Sequence, residues 1–201
     1  MTENLGWCFN LREPLYRNYH DLEWGVPVHD DRRLFEFLAL ELMQCGLNWV
    51  TILKKRDIMR SCFEEFDFNR IAEYTEADVE RIMAVPGMLR NRGKILAVIN
   101  NARCFLDIRS EFGSFGDYLW QFTQDHTYVY SRHWQNGLPA QNELSRVVSQ
   151  NLKRRGFKYT GPVVVYAYLQ ACGLVNDHMP SCPRYAFING LARVQEIPGV
   201  D

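Results

Sequence analysis

The chain has 201 residues, of which 47% are hydrophobic and 23% charged, and its formal net charge is −1. That length suits one domain with a buried core, and the composition excludes a disordered chain or a fibrous repeat. No segment resembles a signal peptide or approaches the roughly 18 apolar residues that span a membrane, so a cytoplasmic protein, or a nuclear one in a eukaryote, is expected, without a membrane partner. The six cysteines are scattered, which predicts reduced thiols.

The first strong helical pattern lies between residues 32 and 45, where apolar side chains recur at helical spacing. Glu41 projects into the middle of the stripe formed by Leu34, Leu38, Leu42 and Cys45. A buried carboxyl must be paired, hydrogen-bonded or neutral, and such groups collect at functional sites. Two interpretations are open: a structural glutamate that caps a helix or pairs with an arginine, or a group that reads a ligand.

Aromatic residues crowd the segments on both sides of this helix, namely Trp7, Tyr16, Tyr19 and Trp24 before it and Trp49 after it. Aromatic rings stack on a purine while a carboxyl accepts hydrogen bonds from its edge. The same rings could simply build the core. Their closeness to Glu41 favours a purine pocket.

Two further helical patterns flank Pro86-Gly87. The pattern 78–83 predicts a short helix that this dipeptide ends, and the stripe 95–106 predicts the next helix. The turn resembles the hairpin of helix-hairpin-helix proteins, whose backbone amides grip a phosphate. A plain helical turn is the alternative, and the neighbouring cations favour DNA: Arg90, Arg92 and Lys94.

The C-terminal half contains an amphipathic helix over 144–152 and the apolar run PVVVYAYLQACG. Proline at its first position, glycine at its end and its length favour a buried helix over a strand for this run. Residues 126–142 are expected to form a loop or extended excursion. The segment 183–201 is expected to be a poorly ordered tail.

A metal site is a further possibility. His178 and Cys182 have a spacing that could form half of a zinc site, and His20 and Cys8 lie at the other end of the chain. Two ligands from each end would hold the termini together. No C-x-x-C pair supports this interpretation, and a packed histidine or cysteine is the alternative.

These residues identify a family resemblance. The chain resembles the 3-methyladenine DNA glycosylase type I family of the helix-hairpin-helix superfamily over nearly its whole length. The resemblance is carried by PLYRNYHDLEWGVPVHDDRRLFEFLALE, GLNWVTILKKR, RNRGKILAVINNARCF, LKRRGFKYTG and, above all, LQACGLVNDH. It implies an all-α helix-hairpin-helix DNA glycosylase fold with a small second subdomain joining the termini. We expect one domain over residues 1–185 and a tail over 186–201.

The resemblance also implies residue roles. It makes Glu41 the catalytic, base-reading residue and makes the following residues the base-binding wall: Tyr16, Tyr19, Trp24 and Trp49. It implies zinc ligands at His20, His178 and Cys182. The hairpin would grip DNA through Gly87, Arg90, Arg92 and Lys94.

The chain departs from the family pattern in two places. Aligning Gly6-Trp7 with the family's Cys-Gly-Trp puts Leu5 where the fourth zinc ligand, a cysteine, is expected. Zinc is therefore absent, held by three protein ligands and water, or held through a shifted Cys8. The helix end LELMQCGLNW differs from the related LEGxQAGLSW at Leu42, Met43, Cys45 and Asn48, which leaves the substrate range open.

The expected activity is a monofunctional glycosylase that flips 3-methyladenine out of alkylated duplex DNA and hydrolyses its N-glycosidic bond. No lysine is placed for Schiff-base chemistry, the usual aspartate after the hairpin is missing, and no dedicated base for the attacking water is evident. A monomer is expected. Two other functions stay open: a non-catalytic DNA-binding paralogue, favoured by Leu42 in place of glycine, and a small-molecule nucleoside hydrolase that needs no hairpin.

Overall fold

The computed structural model describes residues 8, 13–131 and 133–198. These residues form a mostly helical fold, as the sequence predicts. The helices are α1 (Pro14–Leu22), α2 (Asp31–Gln44), α3 (Trp49–Cys62), α4 (Phe68–Ala72), α5 (Glu76–Ala84), α6 (Arg92–Phe112), α7 (Phe115–Trp120), α8 (His133–Asn136), α9 (Glu143–Arg154), α10 (Pro162–Ala171) and α11 (Pro183–Leu191), with 3-10 turns at Glu64–Phe66 and Gln121–Thr123. Two strands, β1 (Thr127–Tyr130) and β2 (Val194–Ile197), form a parallel pair.

Helix α2 is the centre of the core. It begins at Asp30, whose side chain accepts a hydrogen bond from the Arg33 backbone N–H at 2.9 Å. The ten residues 34–43 are all buried, because α3, α6, α7 and α10 pack around the helix. Glu41 is therefore carried into the interior, as its place in the apolar stripe predicts.

The predicted helical hairpin is confirmed. Thr75 and Asp78 form a capping box at the start of α5, and Asn91 caps α6 by accepting from the Lys94 backbone N–H at 3.1 Å. Between them, Gly87 has a φ of +83°, which an L side chain rarely adopts. The Lys55 ammonium donates to the Gly87 carbonyl at 2.5 Å, so α3 supports the turn.

Near the C-terminus, helix α10 confirms the prediction for the apolar run, and β1 confirms the extended excursion expected within 126–142, although α8 also forms there. The prediction of a poorly ordered tail is wrong, because residues 183–197 contain α11 and β2. The reason is long-range pairing: Thr127 lies opposite Val194 in the parallel ladder. Asn176 also anchors α11 by donating to Asn189 Oδ1 at 2.7 Å. The last three residues lie outside the described part.

Within the described ranges, every helix is too short or too polar to cross a bilayer.

Candidate active site and metal cluster

A small pocket of about 140 Å³ opens between α1, α2, α3 and α10. The pocket is lined by Tyr16, Tyr19, Trp24, Glu41, Gln44, Trp49, Ala167 and Gln170. It therefore brings together Glu41 and the four aromatic residues selected from the sequence.

Glu41 is 5% exposed, and no described residue donates a hydrogen bond to its carboxyl. Desolvation by burial raises the pKa of Glu41 from its ordinary value of 4.5 to about 8. At neutral pH the carboxyl is therefore mostly protonated. The empty pocket thus holds a neutral acid that can release its proton when a cation arrives.

The aromatic wall is packed but not closed. The Tyr19 and Trp49 rings lie 5.1 Å apart at a tilt of 55°, and Tyr19 also contacts Phe37 edge to face. Burial raises the pKa of Tyr16 to about 12, so its hydroxyl stays protonated. The buried Trp49 Nε1 has no hydrogen-bond partner among the described residues.

Sequence reasoning missed three lining residues: Gln44, Ala167 and Gln170. Gln44 could have been found, because it follows Glu41 by three residues and shares its helix face. Nothing in the apolar run of α10 marks Ala167 as facing a ligand, whereas Gln170 is a polar amide within that run and could have been selected for this reason. The Gln170 amide donates to Asp177 Oδ2 at 2.7 Å, and Asp177 is itself 2% exposed.

The hairpin cations differ in their availability. Arg90 is exposed, and no described acidic residue pairs with it. Arg92 is exposed but forms ion pairs with Glu76 and Glu80. Lys94 is 6% exposed, and its ammonium donates to the carbonyls of Met43 at 2.8 Å and Cys45 at 2.6 Å. The structure thus contradicts a contact between Lys94 and DNA phosphate, because the Lys94 ammonium instead interacts with the carbonyls at the C-terminal end of α2.

A second polar cluster joins the chain ends. Ligand atoms of Cys8, His20, His178 and Cys182 all lie within 4.8 Å of one another. The distances are 3.5 Å from Cys8 Sγ to His178 Nδ1, 3.7 Å from Cys182 Sγ to the same nitrogen, and 3.8 Å from Cys182 Sγ to His20 Nε2. In a tetrahedral zinc site, sulfur at about 2.3 Å and nitrogen at about 2.0 Å from the metal are about 3.5 Å apart. The four residues fit such an ion.

The outer hydrogen bonds also suit a metal. His178 Nε2 lies 3.0 Å from the Trp24 carbonyl, which can only accept, so the proton is on Nε2 and Nδ1 faces the cluster. His20 Nδ1 lies 2.8 Å from the Asp21 carboxylate, which leaves its Nε2 toward the cluster. This arrangement, with the second ring nitrogen donating to an oxygen, orients histidine ligands at metal sites.

Of the three alternatives for the fourth ligand, the structure favours the shifted Cys8, which occupies the fourth position of the cluster. Leu5 and Trp7 lie outside the described residues. The second departure is also resolved in part: Leu42 and Met43 are buried in the core, and neither they nor Cys45 and Asn48 line the pocket.

A purine-sized pocket beside a helical hairpin is the arrangement of the helix-hairpin-helix DNA glycosylases, and this chain has it. The chain belongs to the methyladenine glycosylase family, whose pattern matches residues 7–185.

Two curated relatives and a solved structure are similar to the chain. It is 43% identical over 183 residues to DNA-3-methyladenine glycosylase 1 of Escherichia coli (strain K12), covering 91% of this chain and 97% of the relative. It is 38% identical to the DNA-3-methyladenine glycosylase of Haemophilus influenzae, covering 91% of this chain and 98% of the relative. A variant of 3-methyladenine DNA glycosylase I in complex with 3-methyladenine superposes with a TM-score of 0.84 at 35% identity, covering 89% of this chain and 96% of that one.

Proposed function

We propose that this protein is a monofunctional DNA-3-methyladenine glycosylase that flips the damaged nucleotide out of duplex DNA and hydrolyses its N-glycosidic bond. The observation that carries the proposal is the Glu41 carboxyl, buried on an aromatic pocket wall with no donor among the described residues. A structural glutamate would have a partner at that depth. Glu41 instead faces the pocket.

The charge of the substrate explains the selectivity. Methylation at N3 makes the nucleobase cationic, and a cation next to Glu41 favours the loss of the carboxyl proton. Glu41 then becomes a carboxylate that accepts a hydrogen bond from the base, while Tyr16, Tyr19 and Trp49 stack on it or line it. Undamaged adenine lacks the charge and leaves the buried carboxyl neutral, so it is bound less well.

The cationic base departs as a neutral molecule, which means that bond cleavage needs little acid assistance. Water then attacks the oxocarbenium-like sugar. Within the described ranges, the lining holds no amine that could form a Schiff base. A single hydrolytic step without strand cleavage is therefore proposed.

DNA is held by the hairpin in this proposal. The turn at Gly87 presents backbone amides to a phosphate, and Arg90 supplies the exposed positive charge. Arg92 contributes when it exchanges its glutamate partners for phosphate. One domain that extends past residue 185 to include α11 and β2, a monomeric state and a cytoplasmic location with access to genomic DNA belong to the same proposal.

Zinc is proposed as a structural ion held by Cys8, His20, His178 and Cys182. It would supply a tetrahedral crosslink between the two ends of the chain and no reaction chemistry, because four protein ligands leave no open coordination position. The crosslink would support α1, which also carries Tyr16 and Tyr19 of the pocket.

The test is release of free 3-methyladenine from methylated duplex DNA, separated by chromatography. Wild type is expected to release it, and Glu41→Ala and Glu41→Gln are expected to lose the activity while still binding duplex. The matched control is Glu36→Gln, the same change on the same helix at a buried residue that pairs with Arg56 and Arg60. It should lower stability but spare excision per folded molecule.

Two outcomes contradict the proposal. Unchanged release in both Glu41 variants would remove the assigned role of that residue. Duplex binding without release by wild type would instead identify a non-catalytic DNA-binding paralogue.

A further inference from the structure

The orientation of the Gln170 side chain is fixed by a buried acid. A carboxylate can only accept hydrogen bonds, so the Gln170 amide must present its Nε2 to Asp177, at 2.7 Å. Its Oε1 is then the polar atom left for the pocket that Gln170 lines. The Gln170 amide could otherwise either donate or accept a hydrogen bond. Asp177 thus fixes it as an acceptor toward the pocket.

Asp177 is itself held firmly. It is 2% exposed, and its two oxygens meet His133 Nδ1 at 2.7 Å and the hydroxyl of Tyr166. Burial and the neighbouring Asp177 charge raise the pKa of Tyr166, so its hydroxyl is a donor. Three donors therefore converge on one buried carboxylate, and rotation of the Gln170 amide would place its oxygen against that charge.

We infer that Asp177 and Gln170 read which purine has been flipped: Asp177 positions the amide, and Gln170 Oε1 accepts a hydrogen bond from the exocyclic 6-amine of adenine. The inference rests on the proposed function. In a 3-methyladenine nucleotide the only N–H groups of the base belong to this amine, so any protein acceptor must meet it there. Guanine carries a carbonyl at position 6, and two facing acceptors repel.

Both sides of the pocket then meet the 6-amine, whose two N–H groups can donate to one acceptor each. Glu41 on α2 also responds to the positive charge that marks damage, whereas the neutral Gln170 on α10 responds only to the identity of the base. Gln44, the other lining amide, is a weaker candidate because its Nε2 donates at 2.9 Å to the exposed Leu47 carbonyl rather than to a buried charge. Gln44 therefore provides a matched control for Gln170.

The experiment uses one methylated duplex DNA that contains both 3-methyladenine and 3-methylguanine, with the two released bases measured in the same reaction. Because the lesions compete for the same enzyme, partial unfolding cancels from the ratio of their kcat/KM values. The ratio for Gln170→Met is expected to shift toward 3-methylguanine by roughly three- to tenfold, the range for one neutral hydrogen bond. Asp177→Asn should shift it in the same direction, and Gln44→Met should change it by less than about twofold.

A ratio within about twofold of wild type in both Gln170→Met and Asp177→Asn would overturn the inference. Dissociation constants of the two free bases, measured by tryptophan fluorescence, give the same ratio without catalysis. If wild type releases no base, the proposed activity fails, but this binding ratio still decides the role of Gln170. Thermal melting and metal content distinguish a positioning effect from damage to the neighbouring cluster at His178.

Discussion

The pocket and the metal cluster are built on the same short helix but follow opposite rules. Helix α1 gives Tyr16 and Tyr19 to the pocket and His20 to the cluster. In the cluster, both histidines have an oxygen partner behind the ring. In the pocket, the Glu41 carboxyl and Trp49 Nε1 have no partner in the described part of the chain. Satisfied polar groups indicate a site that stabilises the fold, and unsatisfied ones indicate a site that waits for a ligand.

The largest effect is expected at the cluster. Cys182→Ala should release the bound metal and lower the free energy of unfolding by about 4 kcal/mol or more, the size typical of a lost metal site. Cys62→Ala is the matched control, because Cys62 is equally buried but lies outside the cluster. Its cost should be about 1–2 kcal/mol. Metal content and urea unfolding measure both, and equal costs with no metal in wild type would show that the cluster is only packed.

A substitution at Glu41 in the pocket should raise the stability of the fold, whereas a substitution in the cluster lowers it. Glu41→Gln is expected to reduce kcat/KM for excision about 10²- to 10³-fold, yet to stabilise the fold. Because the folded-state pKa of Glu41 is raised, its stabilising contribution is present below pH 4.5 and is lost as the pH rises through about 8. Thermal melts should therefore show the variant gaining on wild type from pH 5 to pH 9, by up to about 4 kcal/mol. A gain that is independent of pH would contradict the shifted pKa.

The same titration should control activity. If a carboxylate must meet the cationic base, kcat/KM should rise about tenfold per pH unit below the free-enzyme pKa and level off above about 8. Excision kinetics on a methylated duplex between pH 6 and pH 9 test this. The residual activity of Glu41→Gln should lack that rise, and a flat wild-type profile would exclude Glu41 as the titrating group.

The hairpin extends the comparison with smaller effects. Lys94 has two carbonyl partners, so Lys94→Met should cost about 1–3 kcal/mol of stability and leave the salt dependence of duplex binding unchanged. Arg90 has no described partner, so Arg90→Ala should spare stability and reduce the slope of log affinity against log salt by about 1. Fluorescence anisotropy at several salt concentrations distinguishes them. A reduced slope for Lys94→Met would place its charge on DNA after all.

Local patterns were sufficient for the parts of the site that lie on one helix. The apolar stripe of α2 predicted the buried position of Glu41, and Pro86-Gly87 predicted the turn. Lys94 was misread because it stands in a basic cluster of the sequence. Its helix phase was informative: Ala97, Val98 and Asn101 share its face of α6, and all are buried.

The remaining errors concern contacts between distant segments. The strand β2 exists because β1 lies beside it, and no pattern within residues 183–201 encodes that partner. Gln170 faces the pocket because α10 packs against α2, and its amide is oriented by Asp177 beyond the helix end. Cys8 joins the cluster although a motif alignment selects a neighbouring position, because spatial proximity rather than register determines a metal ligand.

The neutral state of the empty pocket has a consequence for how the protein searches DNA. A permanent negative charge at Glu41 would repel the phosphates on each side of every nucleotide that the enzyme inspects. A carboxyl that keeps its proton in the empty pocket carries no such charge during the search. The Glu41 carboxyl thus becomes negatively charged only after a positively charged base has entered the pocket.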